Sequence, residues 1–331
     1  MKSKNPLAYI LAVLTLPLLG TVAHAATIEI LQTIDFPGAG NATMPQKISD
    51  QGVLINTVIK PNGAEQGFFY KPRIGRFSDA AFSDPKDTGN FTAGRGVNNL
   101  RHACGEYLNA SDGTFHGYLL EHPDFIEFDV TGTSDTIPLG INNAGDFVGT
   151  VSLSDGTQPA FVNLGGSVTM FAVPGATATF AYQLNKGNKI IGYYIDPNGI
   201  THGYTRDQRG NLAFPIDVPG STGTILFGNN DSNWGVGRYT DASGVTHGLF
   251  FITSNDILTF DYPGSTFTSI NGVNKQGQVC GYYLDAAGIA HGFFGMVKLT
   301  ASSQPNTNPP MAPVKPAYLS PEMLRSRAPA L

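Results

Sequence analysis

Charge is scarce in this chain. Asp, Glu, Lys and Arg together make up 14% of 331 residues, and no run of Lys or Arg stands out. Neutralising phosphates needs a clustered basic face, so no nucleic acid is expected as a partner. There are only two cysteines and one tryptophan, too few cysteines for a disulfide-stapled scaffold. Beyond the N-terminus no apolar run approaches the roughly 20 residues of a membrane-spanning helix, so no membrane span is expected. The sequence has no G-x-S-x-G elbow, no H-E-x-x-H and no P-loop. No catalytic residue, metal or cofactor is therefore assigned. Propeller-type sites assembled from scattered loops would not show as a motif, so the absence leaves an enzyme open.

What is abundant is Gly (40 residues) and Phe (21 residues), with Thr, Ser and Asn supplying much of the polarity. That is an all-β composition with frequent turns. The N-terminus carries "MKSKNP", the apolar "LAYILAVLTLPLLG" and then Ala23-His24-Ala25. A basic start, a short apolar core and a small-x-small site read as a signal peptide over residues 1–25. The mature chain is expected outside the cytoplasm, secreted or periplasmic. Residues 301–331 are Pro-dense and aperiodic, and read as a disordered tail.

Between these ends one unit recurs. "GVNKQGQVCGYYLDAAGIAHGFF" (272–294) has counterparts beginning near residues 48, 97, 141, 184 and 229, giving six copies. One column holds Asn56, Gly105, Gly149, Gly192, Gly237 and Gly281, at gaps of 49, 44, 43, 45 and 44 residues. A fixed period of this length signals a repeat architecture. The unit reads as an apolar strand ending in Asp-x-Pro-Gly, a Thr/Ser-rich stretch, an Asn-x-x-Gly turn and a buried strand. An Asp-x-x-Gly turn and a strand opening with His-Gly-aromatic complete it. The second copy has only a degenerate "FSDP" (82–85) at the Asp-x-Pro-Gly place.

Two turn columns are diagnostic. Gly52, Arg101, Gly145, Asn188, Asn233 and Gly277 share one, and five of these six are Gly or Asn, residues that tolerate a left-handed backbone. The other is Gly in all six copies, from Gly63 to Gly288. Between the turns, the neighbouring columns of Val279 and Cys280 are both mostly apolar. Successive strand residues face opposite ways, so this strand is buried on both faces. Sheets stacked face to face around a ring bury their strands in this way. Six units of about 44 residues predict a six-bladed β-propeller over 26–300, each blade four short antiparallel strands.

Cys104 and Cys280 fall in one column, two blades apart in a closed ring. Equivalent positions there exceed the roughly 7 Å Cα limit for a disulfide, so both are expected unpaired and buried. His116, His202, His247 and His291 head one strand of four copies, and Asp35, Asp129, Asp217 and Asp261 stand in the Asp-x-Pro-Gly pieces. Recurrence by blade points to a structural His–Asp contact, since ligands of one metal or carboxylates of one active site must converge. Asn229, Asp231 and Asn233 have calcium-loop spacing, but Trp234 stands where that loop needs Gly.

"INNAGDFVGT", "LNKGNKIIGYYIDPNGITHGY" and "VNKQGQVCGYYLDAAGIAHGFF" resemble the HAF repeats of bacterial extracellular proteins. Third-copy Pro159-Ala160-Phe161 and the His-Gly-aromatic of other copies match the eponymous His-Ala-Phe. The resemblance covers 27–299. It implies an exported repeat protein and carries over no activity.

The expected function is an exported, non-catalytic binding propeller, with a glycan, peptide or surface polymer as partner. A lyase or hydrolase with its site at one channel mouth is the alternative. The two columns that vary between blades supply candidate ligand-binding residues: Lys189, Trp234 and Gln278 from one, Tyr193, Arg238 and Tyr282 from the other. An exposed Trp234 beside Arg238 would suit a sugar ring or an anion. Alternatively, Trp234 plugs a gap against the next blade left by Gly235.

Overall fold

In a computed structural model, the described residues are 24–301 apart from 39, 79–86, 88–89, 122–123 and 253–256. The signal peptide, all but its last two residues, and the tail beyond residue 301 lie outside them, as does "FSDP". The described residues form six four-stranded antiparallel sheets, a six-bladed propeller. Blade 1 comprises Ala42–Ile48, Leu54–Ile59, Glu65–Lys71 and Arg76–Phe77. Blade 2 comprises Thr92–Val97, Ala103–Asn109, Thr114–Glu121 and Asp124–Phe128. Blade 3 comprises Asp135–Ile141, Phe147–Ser152, Ala160–Leu164 and Ser167–Phe171. Blade 4 comprises Ala178–Leu184, Ile190–Ile195, Thr201–Arg206 and Leu212–Ile216. Blade 5 comprises Gly223–Asn229, Gly235–Thr240, Thr246–Phe251 and Ile257–Phe260. Blade 6 comprises Thr268–Val273, Gln278–Leu284, Ala290–Ala301 and, as its outer strand, the N-terminal His24–Ile34.

The first strand of each blade is innermost, and neighbouring inner strands touch all the way round, blade 6 against blade 1 included. The ring closes through the N-terminal strand, which runs antiparallel to Ala290–Ala301 from His24 opposite Ala301 to Ile34 opposite Gly292. The Thr/Ser-rich stretch, not assigned as a strand from sequence, is this innermost strand. Its first or second residue is a threonine in every blade: Thr43, Thr92, Thr136, Thr179, Thr224 and Thr268. For five of these threonines Oγ1 accepts the backbone N–H at the second place of the Asp-x-Pro-Gly piece, at 2.9–3.1 Å, Val173 following Ala172 where the other four donors follow an Asp. The outer-strand turn and the start of the next inner strand are thereby tied together. In blade 2, Thr92 Oγ1 instead donates to Asp87 Oδ2 at 2.8 Å.

Each second strand is buried on both faces. Leu54, Ile55, Ala103, Cys104, Val148, Ile190, Val236, Val279 and Cys280 are inaccessible to solvent. All six residues of the first turn column adopt positive φ, from 54° at Asn188 to 85° at Gly145, with Arg101 at 64°. Both cysteines are free and buried. Their thiols are pushed up to about 12 by burial. Cys104 packs on blade 3 (Ile141, Phe147) and Cys280 on blade 1 (Ile48, Leu54).

The recurrent histidines are structural. His116, His202, His247 and His291 place Nδ1 2.6–2.8 Å from Asp129, Asp217, Asp261 and Asp35 respectively. Each ring stacks on a tyrosine of the second strand: Tyr107, Tyr194, Tyr239 or Tyr283. The His291–Asp35 pair joins residues 256 apart in sequence, so the closure of the ring repeats the bond that the other blades make internally.

Candidate functional site

The Asn-x-x-Gly turns build one mouth of the channel. Asn98, Asn142, Asn185, Asn230 and Asn274 each accept backbone N–H groups two and four residues on, through Oδ1. All five also reach the next blade: Nδ2 of Asn98, Asn185, Asn230 and Asn274 donates to the backbone oxygens of Asn142, Asn230, Asn274 and Ser49, at 3.0–3.2 Å, and Asn142 Nδ2 donates to Asn188 Oδ1 at 3.2 Å. An amide supplies acceptor and donor together, whereas an ionised carboxylate only accepts, so Asn suits this column better than Asp; blade 1 has Ser49, whose Oγ accepts the Val53 N–H. A second set of bonds runs outside it. Oδ1 of Asn99, Asn143, Asp231 and Asp50 accepts backbone N–H from Asp50, Asn99, Lys186 and Lys275 of the preceding blade. Asn229, Asp231 and Asn233, spaced like a calcium loop, are engaged instead with blade 4: Lys189 O, Lys186 N and Asn185 Nδ2.

Inside this mouth lies an open depression lined by residues of all six blades. An apolar collar of Ile48, Val97, Ile141, Leu184 and Val273 surrounds it, all buried, and Asn229 fills the sixth place. Below the collar the inner strands bulge in every blade. The residue after each bulge forms a waist: Lys47, Gly96, Gly140, Gln183, Gly228 and Gly272. The four glycines let backbones meet. A Cβ on Gly140 would lie 2.5 Å from Tyr182 O, and one on Gly272 3.0 Å from Ile48 N. Lys47 and Gln183 stand in opposite blades as the two side chains of the waist.

Past the waist the channel holds a polar cluster. Lys47 Nζ lies 5.4 Å from the centre of the Tyr182 ring, across the axis. Arg95 is paired with Glu106 through both Nε and Nη2. Tyr182 packs on Tyr193 and Phe227. Arg238 donates to Tyr282 Oη at 3.1 Å and lies between the Phe227 and Phe267 rings. Burial brings the Lys47 ammonium down to about 8. Burial also raises the Tyr182 and Tyr193 phenols above their ordinary value.

The structure brings three of the six sequence candidates to one region. Arg238 touches Tyr282, and Tyr193 joins the same cluster through Tyr182 and Phe227. Lys189, Trp234 and Gln278 belong to the turns at the other end of their strands. Gln278 Oε1 accepts from Asn274 Nδ2 at 2.7 Å. Half-buried Trp234 meets Phe250 edge-on at 5.7 Å and faces Gly277 of blade 6. It is thus a contact with the next blade, not an exposed platform beside Arg238. The space left by Gly235 is filled not by Trp234 but by Phe251, whose ring would lie 2.0 Å from a Cβ there. Sequence reasoning missed Lys47, Arg95 and Tyr182. Each departs from what its column holds elsewhere, but the columns become visible only once the inner strand is recognised.

No family model matches the chain, and no curated protein matches it. Solved structures share the fold. A fungal lectin from Aleuria aurantia, a six-bladed propeller with a fucose recognition mode, superposes with a TM-score of 0.52 at 9% identity, over 84% of this chain and 99% of the lectin. AofleA from Arthrobotrys oligospora superposes with a TM-score of 0.52 at 10% identity, over 90% and 94% of the two chains. At such identity the likeness is one of fold. This chain is a six-bladed β-propeller.

Proposed function

We propose that the chain is an exported, non-catalytic binding propeller of the HAF-repeat kind, with a glycan as ligand on the channel axis. One observation carries this reading: six-fold repetition breaks at the axis. The Thr, Asn, His, Asp and Tyr columns recur and are spent on hydrogen bonds within and between blades. Lys47, Arg95, Glu106, Tyr182, Tyr193, Arg238 and Tyr282 stand in columns that vary from blade to blade, and contacts among Arg95, Glu106, Tyr182, Tyr193, Arg238 and Tyr282 gather them below Lys47. A fold does not need variation at its axis, whereas a ligand does. A glycan suits an array of hydroxyls, guanidinium groups and aromatic faces, and the Aleuria lectin presents sugar recognition on the same frame.

The lyase or hydrolase alternative draws on Lys47, whose depressed pKa is a common property of catalytic bases. Acid–base chemistry needs a second group free to exchange a proton. Glu106, the carboxylate of this cluster, is held by Arg95, so the arrangement suits binding better. The test is a glycan array probed with the mature chain and with Arg238→Ala. Selective binding that Arg238→Ala abolishes, at an unchanged thermal midpoint, is expected. Binding indifferent to Arg238→Ala, or turnover of a bound polysaccharide, would overturn the reading.

A further inference from the structure

Lys47 is 5% exposed, yet among the described residues its ammonium has neither a carboxylate partner nor a hydrogen-bond acceptor. A largely buried cation whose one contact is the face of the Tyr182 ring keeps a cost that an anion would offset, and a buried amide oxygen without a donor is costly as well. Two such oxygens belong to residues that line the same depression: Asn229 Oδ1 and Gln183 Oε1 are buried and accept no hydrogen bond. Asn229 replaces an aliphatic residue of the collar, and Lys47 and Gln183 replace glycines of the waist. Three departures from the repeat therefore meet in one place: two leave a buried amide oxygen without a donor, and the third brings a cation with no anionic partner among the described residues.

We infer that the mouth of the channel is an acidic-sugar site, in which the sugar carboxylate pairs with Lys47 and its hydroxyls donate to Asn229 Oδ1 and Gln183 Oε1. The needs of the site are one anion and neutral donors beside it. A uronate supplies both. An α-amino acid would bring its own ammonium towards Lys47 and Arg95. The rim adds no net field, since Asp50 and Asp231 are balanced by Lys186 and Lys275, and the floor cation decides the sign. The charges and titratable groups around Lys47 are Arg95, Tyr182, Cys104 and Cys280. Both thiols stay neutral over the working range, their pKa values being pushed up to about 12.

This inference rests on the glycan reading and specifies its ligand. The test is calorimetric titration of the mature chain with glucuronate, glucose and acetate at pH 6.5 and pH 9.5. Glucuronate should bind at least tenfold more tightly than either control at pH 6.5, and lose about tenfold by pH 9.5 as Lys47 deprotonates. Lys47→Met should cost about 10- to 100-fold, the range for a lost charge-assisted hydrogen bond. Asn229→Leu restores the collar of the other blades and is expected to fold. It should weaken glucuronate about tenfold and leave acetate unchanged. If array glycans bind Lys47→Met and the unaltered chain alike, and glucuronate does not compete, the inference fails while the glycan reading survives. If acetate or a peptide C-terminus binds as tightly as glucuronate in a Lys47-dependent way, with no glycan bound, both fail.

Discussion

Three glycine-to-alanine substitutions separate the physical demands that the ring makes. At Gly140 a Cβ would meet Tyr182 O at 2.5 Å, Gln183 Oε1 at 2.6 Å and Gln183 Cα at 2.8 Å. Two of these are backbone atoms of the neighbouring blade and cannot swing aside. Overpacking of this kind costs about 3 kcal/mol. Gly145, at φ +85°, has nothing within 4 Å of its Cβ direction. Its alanine variant carries only the left-handed backbone penalty of about 1–2 kcal/mol. Gly187 has ordinary φ and a single contact at 3.4 Å. There, alanine should stabilise by about 0.5 kcal/mol, through the unfolded chain. Urea unfolding measures all three, with m unchanged if only stability moves. The thermal midpoint should fall by about 6–12 °C for Gly140→Ala at 2–4 °C per kcal/mol. A Gly140→Ala variant as stable as Gly187→Ala would refute the claim that inner strands meet backbone to backbone at the waist.

Three further outcomes follow from the contacts described. Burial opposes charge on His116 and His291, but hydrogen bonds to Asp129 and Asp112, and to Asp35 and Asp285, outweigh it and raise both above 6.5. Their stabilisation is full below pH ~6.5 and is lost as pH rises through the folded values. Asp112 and Asp285 are lowered, chiefly by Thr114 and the Ile289 N–H respectively, and theirs is lost as pH falls through the folded values. Urea midpoints across pH 3–9 should peak near pH 5–6, and His291→Gln should flatten the alkaline limb. Cys104 and Cys280 should resist alkylation in the native protein and both react after unfolding without reductant; a cross-linked peptide would contradict their separation by a blade. Trp234→Ala should lower stability by about 2 kcal/mol, below the 3–5 expected of a fully buried site, while glycan binding persists; an unchanged midpoint with lost binding would return Trp234 to the ligand.

The blade count, both left-handed turn columns, the doubly buried strand and the free cysteines were legible because each column restricts every copy to a narrow class of residues, Gly or Asn at the turns and apolar residues in the strand. Burial, positive φ and close packing recur by symmetry, so their signal is multiplied by six. The innermost strand was not legible. Its bulge breaks the two-residue alternation that betrays a strand, and its faces meet channel and neighbours differently in each blade. One signal was available: the threonines from Thr43 to Thr268 stand 13 residues before the column of Gly281 in every copy. The closing strand was also hidden, since His24–Ile34 pairs with residues at the far end of the chain. The candidate site was half legible. Variation between blades picked out Tyr193, Arg238 and Tyr282, but also turn residues such as Gln278 and Trp234. Those vary because each fits a different neighbour.

The most direct test of an axial site is its stoichiometry. Native mass spectrometry of residues 26–331 with the strongest array glycan counts bound ligands without assuming where they lie. A single channel site predicts saturation at one ligand per chain. Saturation at several ligands per chain would place recognition in the repeated clefts between blades, and would contradict a site made by the breaking of the repeat.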